Sequence, residues 1–135
     1  MRHMFVDTAA WVAVADSSDR TGSAVREARD EWLSAGGMLT TTDYVIDETL
    51  TTIRFRLGLD AAEAWWLQIE GSARLRIESI DEPRRDRARA LFFRYRDKDF
   101  SFTDCCSFVV MRELQIRRAL TLDSHFRQMR FEVVP

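Results

Sequence analysis

Two short apolar runs in this chain each end in an aspartate: Met4-Phe5-Val6-Asp7 and Ala119-Leu120-Thr121-Leu122-Asp123. Ligands of an open parallel sheet bind outside the carboxyl ends of the strands, at a switch in strand order. An acid at such an end is poised at a site. Two more acids, Glu48 and Asp104, fall on the inner faces of expected helices. At about 100° per residue, Tyr44, Val45, Thr52 and Phe55 lie within about 60° of Glu48, a mostly apolar face. Asp47 instead shares its side with Asp43, Thr51 and Arg54, and so faces water. Asp104 shares its face with Ser107, Phe108 and Met111. Four carboxylates converging on one cleft repel each other unless a cation holds them. The pattern thus proposes a metal site built from oxygen ligands, which suits Mg²⁺ or Mn²⁺. Such ions activate water and offset charge on a phosphoryl group.

Each acid also has a plain structural alternative. Asp7 is placed to cap a helix beginning near Ala9. Glu48 could pair with an arginine, because a buried unpaired carboxylate is unfavourable. Ser101-Phe102-Thr103-Asp104 has the S-x-x-D form of a capping box, and the two oxygens of Asp104 make capping and metal binding compatible. Asp123 could simply form a turn with Ser124. The sequence holds no G-x-x-x-x-G-K-[ST] loop, G-x-G-x-x-G turn or H-E-x-x-H helix. His3 and His125 are the only histidines, which argues against a Cys/His zinc site, and His125 reads as a packing or turn residue.

The elements that must position these acids alternate strand and helix, the sign of a parallel α/β domain. The pattern predicts strands at 4–7, 38–41, 74–79, 118–122 and 131–134. Helices are expected at 9–15, 21–35, 43–57, 60–70, 83–96 and 103–114. Gly36-Gly37 and Gly58 read as helix stops, and Asp43 and Asp60 as N-caps. No repeat, linker or low-complexity segment divides the 135 residues, so a single domain spanning 1–135 is expected.

Composition narrows the classes. No apolar run approaches the roughly 20 residues of a membrane span. Arg2 and Ala13-Val14-Ala15 loosely mimic a signal peptide, but Asp7 interrupts the apolar stretch, which reads better as strand plus helix. Cys105 and Cys106 are adjacent, and helical neighbours point about 100° apart, so they read as reduced core residues of a reducing compartment. A cytoplasmic location follows from that reading. Net charge is −2, which gives no overall basic signal. The basic residues are nearly all arginine, and Arg84, Arg85, Arg87, Arg89, Arg94 and Arg96 cluster on one expected helix. Such a run is a solvated face, a phosphate-backbone contact or a docking face for an acidic partner.

Phe5-Val6-Asp7-Thr8, Val45-Ile46-Asp47-Glu48-Thr49, Ser101-Phe102-Thr103-Asp104-Cys105 and Thr121-Leu122-Asp123-Ser124-His125-Phe126 together resemble the successive acidic motifs of PIN-domain nucleases. They are most similar to those of the VapC-type toxins of bacterial and archaeal toxin–antitoxin pairs. The resemblance spans nearly the whole chain, and the third and fourth motifs are the most specific. It implies a three-layer α/β/α sandwich around a parallel five-stranded sheet of order 3-2-1-4-5. It implies metal-dependent endoribonuclease cleavage of tRNA or rRNA, with Asp7, Glu48, Asp104 and Asp123 as the catalytic metal ligands. Thr8 and Ser107 match frequent polar positions behind the ligands. Many relatives carry Ser or Asn where this chain has Ala9, and the Asp16–Ser23 segment resembles the family less. The resemblance also implies an antitoxin that occludes the acidic cleft, and a homodimer. Trp65 and Trp66 could serve such surfaces or pack in the core. Two rival readings share the fold: an RNA-processing PIN nuclease without an antitoxin, and an RNA-binding or scaffold module whose acids are structural.

Overall fold

In the computed structural model, which describes residues 2–135, β1 (His3–Val6) lies at the centre of the sheet. Met4, Phe5 and Val6 are all buried, as a strand covered on both faces requires. The helices α1 (Thr8–Ala15) and α2 (Arg20–Ser34) lead to β2 (Met38–Thr42). Then come α3 (Asp43–Leu57), α4 (Leu59–Glu70), β3 (Leu75–Glu78), α5 (Glu82–Arg94), α6 (Phe102–Glu113), β4 (Arg118–Leu120), α7 (His125–Gln128) and β5 (Glu132–Val134). The strands form one parallel sheet in the order β3-β2-β1-β4-β5.

That order fixes where a site can form. From β1 the chain steps outward to β2 and β3, then crosses back to β4 on the other side of β1. Right-handed crossovers put connections of opposite direction on opposite faces of the sheet. Accordingly, α1 packs on α2 and α3, and α3 on α4, while α6 packs on α5 and α7. The order switches between β1 and β4, whose carboxyl ends lie side by side: Val6 pairs with Leu120, and the Asp7 amide donates to the Leu120 carbonyl at 3.1 Å. Helices α3 and α6 also touch, closing over this switch point.

The core follows the apolar pattern. Along α6, every residue from Asp104 to Met111 is buried, with Phe108 wedged between Phe100 and Phe126 at ring distances of 5.1 Å. Trp11 meets Trp65 edge to face at 5.6 Å. Trp65 is therefore a core residue and not a free surface, whereas Trp66 on the same helix is exposed. The turn between α1 and α2 is tight enough that a Cβ at Gly22 would collide with the Ala13 carbonyl.

Several boundaries differ from expectation for identifiable reasons. The α3 cap is Thr42, whose hydroxyl accepts from the Val45 amide at 3.1 Å. Asp43 is free to accept from the Ile80 amide at 3.0 Å and ties α3 to the segment after β3. Gly58, at φ 98°, both ends α3 and caps α4, so Asp60 lies inside the first turn of α4. Strand β4 stops at Leu120, two residues early, because Thr121 and Asp123 turn into the short helix α7, which the periodicity did not signal. Among the described residues, no helix is long and apolar enough to cross a membrane.

Candidate active site

Asp7, Glu48, Asp104 and Asp123 all line one cleft of about 460 Å³ at the switch point, together with Thr8, Thr52, Arg56, Leu122 and His125. Asp19 adds a fifth carboxylate. Each comes from a different part of the fold. Asp7 follows β1, Glu48 projects from the second turn of α3, Asp104 sits in the first turn of α6, and Asp123 follows β4.

Asp7 occupies the N-cap position of α1, but its side chain makes no capping bond. It turns instead to Thr121, whose hydroxyl donates to Asp7 Oδ2 at 3.0 Å and accepts from the Asp123 amide at 3.0 Å. Thr121, 114 residues from Asp7, thus couples the first acid to the fourth. It was not singled out from the sequence, where only its place two residues before Asp123 marks it. Burial, and then the nearby Asp104 charge, push the Asp7 carboxyl up from 3.8 to about 7.

Asp104 completes the expected capping box. Its amide donates to Ser101 Oγ at 2.9 Å, and its Oδ2 accepts from the Ser101 amide at 3.1 Å. The same Oδ2 lies 2.7 Å from His125 Nδ1. Oδ1 has no hydrogen bond among the described residues, so capping leaves one oxygen for a ligand. Burial raises the Asp104 carboxyl above its usual range against these bonds. Asp123 makes the turn foreseen for it, accepting at Oδ1 from the His125 amide at 3.0 Å, while its Oδ2 is 3.2 Å from His125 Nδ1. Turn and site are the same structure.

Glu48 is half-buried and lines the wall across from these acids, while Asp47 is exposed, as the helical phase predicts. Among the described residues no cation pairs with Glu48. The face is less apolar at its outer end than expected: Phe55 is 81% exposed, on the side of α3 turned away from buried Val45, Ile46, Thr49 and Ile53. Thr52 and Arg56 follow Glu48 at helical spacing along the same wall.

Asp104, Asp123 and His125 each bring a potential ligand atom within 4.8 Å of one another, with Asp7 and Glu48 lining the same cleft outside that group. Thr8 lines the cleft, and its buried Oγ1 has no hydrogen-bond partner among the described residues. Ser107 does not line the cleft; its hydroxyl donates to the Thr103 carbonyl at 3.0 Å within α6. A second hollow of about 490 Å³ lies between α5 and α6, but its walls are mainly Ala90, Leu91, Val109 and arginine stems, with Glu113 the single acid.

The PIN domain family matches residues 4–132, and the chain belongs to it. It is 34% identical over 134 residues to the 23S rRNA-specific endonuclease VapC20 of Mycobacterium tuberculosis, covering 98% of each chain. The crystal structure of that protein, described as a sarcin-ricin loop cleaving toxin, superposes with a TM-score of 0.87 at 30% identity, over 98% of this chain and 99% of that one. VapBC2 from Rickettsia felis, in its crystal structure with a promoter DNA fragment, shares the fold alone, with a TM-score of 0.72 at 10% identity over 97% of this chain and 96% of that one.

Proposed function

We propose that this chain is a Mg²⁺- or Mn²⁺-dependent endoribonuclease, the toxin of a toxin–antitoxin pair, acting on rRNA as VapC20 does. The observation that carries the reading is Asp7: a buried carboxylate facing Asp104 with no cationic side chain paired to it among the described residues. With its carboxyl pushed up to about 7, Asp7 is neutralised either by a proton or by a bound cation, and a strongly perturbed acid in a cleft is a mark of a functional site. Oxygen donors on Asp7, Glu48, Asp104 and Asp123 fit a hard divalent ion, and Thr8, whose buried hydroxyl has no partner among the described residues, lines the same cleft. The bound ion would supply charge neutralisation at the phosphoryl group and lower the pKa of a coordinated water.

The chain's own residues set the geometry. Thr121 fixes the Asp7 carboxylate, Ser101 holds Asp104, and the turn at Asp123 aims the fourth acid into the same space. Glu48 faces them from α3, leaving a cleft open to an extended strand. Arg56 pairs with no carboxylate among the described residues and takes a backbone phosphate flanking the scissile one. Hydrolysis forms a bond from a water oxygen to phosphorus and breaks the P–O3′ bond, the 3′ oxygen taking up a proton. The antitoxin covers this cleft. The whole chain acts as one catalytic domain in the cytoplasm and pairs as a homodimer.

The test is cleavage of total RNA by the purified protein in Mn²⁺ or Mg²⁺, against EDTA and against Asp104→Asn. The asparagine can still cap α6, so the variant keeps the fold. Discrete fragments that disappear in both controls are expected, with ends mapping to rRNA. Equal cleavage by the variant would show that Asp104 does not carry the reaction.

A further inference from the structure

His125 is the cleft residue that the proposed function leaves without a task. It sits at the start of α7, half-buried, with its ring edge-on to Phe100 at 5.5 Å. Packing alone does not explain a histidine there, since a phenyl ring would fill the same place. What a phenyl ring lacks is the nitrogen that lies 2.7 Å from Asp104 Oδ2 and 3.2 Å from Asp123 Oδ2. At 2.7 Å a proton must lie between Nδ1 and the oxygen, because two lone pairs do not approach so closely. Carried on Nδ1, that proton is donated to Asp104 Oδ2, with Asp123 Oδ2 near the ring but not hydrogen-bonded to it. The backbone amide of the same residue donates to Asp123 Oδ1, so one residue bonds Asp104 through its ring and Asp123 through its backbone.

We infer that His125 is a positioning residue of the metal site: its Nδ1–H holds Asp104 while its backbone amide holds Asp123, so one residue ties the two acids together. This rests on the proposed metal-dependent reading of the cleft. Two like charges linked only by short side chains swing apart when nothing joins them. His125 joins them through Asp104 Oδ2 and Asp123 Oδ1, and Asp104 Oδ1 is left without a hydrogen bond among the described residues. Groups that hold metal-binding side chains in place change metal affinity by about 10–100-fold when removed. A ligand role for Nδ1 itself is disfavoured, because that atom is already bonded to Asp104 Oδ2.

The test is a Mn²⁺ titration of the full chain followed by its melting temperature, with cleavage of a short RNA measured in parallel. Three proteins are compared: wild type, His125→Phe and His125→Asn. Phenylalanine keeps the contact with Phe100 and removes the donor; asparagine places an amide N–H close to the position of Nδ1. His125→Phe is expected to need at least about tenfold more Mn²⁺ for half of the melting shift, with cleavage falling most at limiting metal. His125→Asn is expected to stay within about threefold of wild type by both measures. A wild-type midpoint in His125→Phe overturns the inference. So does a tenfold loss in His125→Asn, which decides the matter alone if the phenylalanine variant does not fold. A wild-type protein whose melting ignores Mn²⁺ fails earlier, at the metal site itself.

Discussion

Asp7 and Glu78 are both carboxylates at the carboxyl ends of strands in the same half of the sheet, and their surroundings are opposite. Glu78 ends β3, at the edge of the sheet. It accepts from Arg76 Nε at 2.6 Å and from Arg84 Nη2 at 3.0 Å. Burial would raise its carboxyl, but the two guanidinium groups outweigh that and hold it below its usual value. Asp7 follows the central strand and has a threonine, another carboxylate and no guanidinium. The lesson is that a strand end does not make a site. The switch point concentrates like charges that the fold leaves unpaired, while the sheet edge neutralises its acid within the chain. On the proposed reading the first arrangement takes an incoming cation, and the second has its charge balanced within the chain.

The contrast breaks most visibly at Asp7. A raise from 3.8 to about 7 corresponds to a loss of stability on the order of 4 kcal/mol once the group is ionised. The folded-state pKa lies above the unfolded one, so this contribution is fully present below about pH 4 and lost as pH rises through about 7. In EDTA, the wild-type protein should therefore lose unfolding free energy between pH 5 and pH 8. Asp7→Asn should flatten that slope and gain on the order of 2–4 kcal/mol at pH 8, because the amide oxygen can still accept from Thr121. The same variant should cleave RNA about a hundredfold more slowly or worse. Urea melts across the pH range, paired with cleavage assays, check both arms. An unchanged slope would mean that Asp7 is already neutralised by something other than a metal.

The sequence carries this contrast only in part. The strand–helix alternation and the phase that separates Glu48 from Asp47 are local properties and readable. So is the capping box at Ser101 and Asp104, which needs only a four-residue pattern. The strand order is not local and came only from the resemblance to PIN-domain nucleases. What could not be read is pairing between distant segments. The cluster from Arg84 to Arg96 resembles a solvated basic face, yet Arg84 is tied to Glu78 and Glu113, Arg85 to the Ile80 carbonyl and Arg89 to Asp86. Glu113 lies 29 residues from Arg84, so no local pattern announces the bond. His125 packs and makes a turn contact as expected, but its ring bond was hidden for the same reason. The ring reaches an aspartate 21 residues earlier. Phe55 fails in the other direction: the side it shares with Glu48 is turned away from the buried face of α3, while Ile53 and Leu57 on either side of it reach the core.

Glu78 sharpens the comparison from the paired side. Glu78→Gln leaves Arg84, whose side chain is only 12% exposed, without its nearest carboxylate, though Glu113 remains 3.4 Å away. A loss of about 1–2 kcal/mol is expected at pH 7, between the values for exposed and buried pairs. The pH dependence should run opposite to that of Asp7. A carboxyl held below its ordinary 4.5 contributes stability above that pH and loses it as the solution becomes more acidic. Mn²⁺ should raise the melting temperature of Glu78→Gln as much as that of wild type. A weakened metal response would show that the two regions are coupled and that the contrast is not one of independent sites.

The smallest effects separate a paired arginine from an unpaired one. Arg87 meets Glu113 at 2.9 Å, but both side chains are well exposed, so water screens the pair. Arg87→Ala should change stability by no more than about 0.5 kcal/mol and leave cleavage alone. Arg56 lines the acidic cleft with no carboxylate bound to it among the described residues. Arg56→Ala should be equally silent in stability, because it breaks no intramolecular pair. Its effect should appear only with RNA: a several-fold rise in KM at unchanged kcat. One lost phosphate contact on a single strand also lowers the slope of log affinity against log salt by about 0.7. The salt series is the decisive measurement, since a general loss of positive charge and a lost contact differ there. If Arg56→Ala and Arg87→Ala give the same slope as wild type, the unpaired guanidinium touches no phosphate, and the strand must be held by the acids and their cation alone.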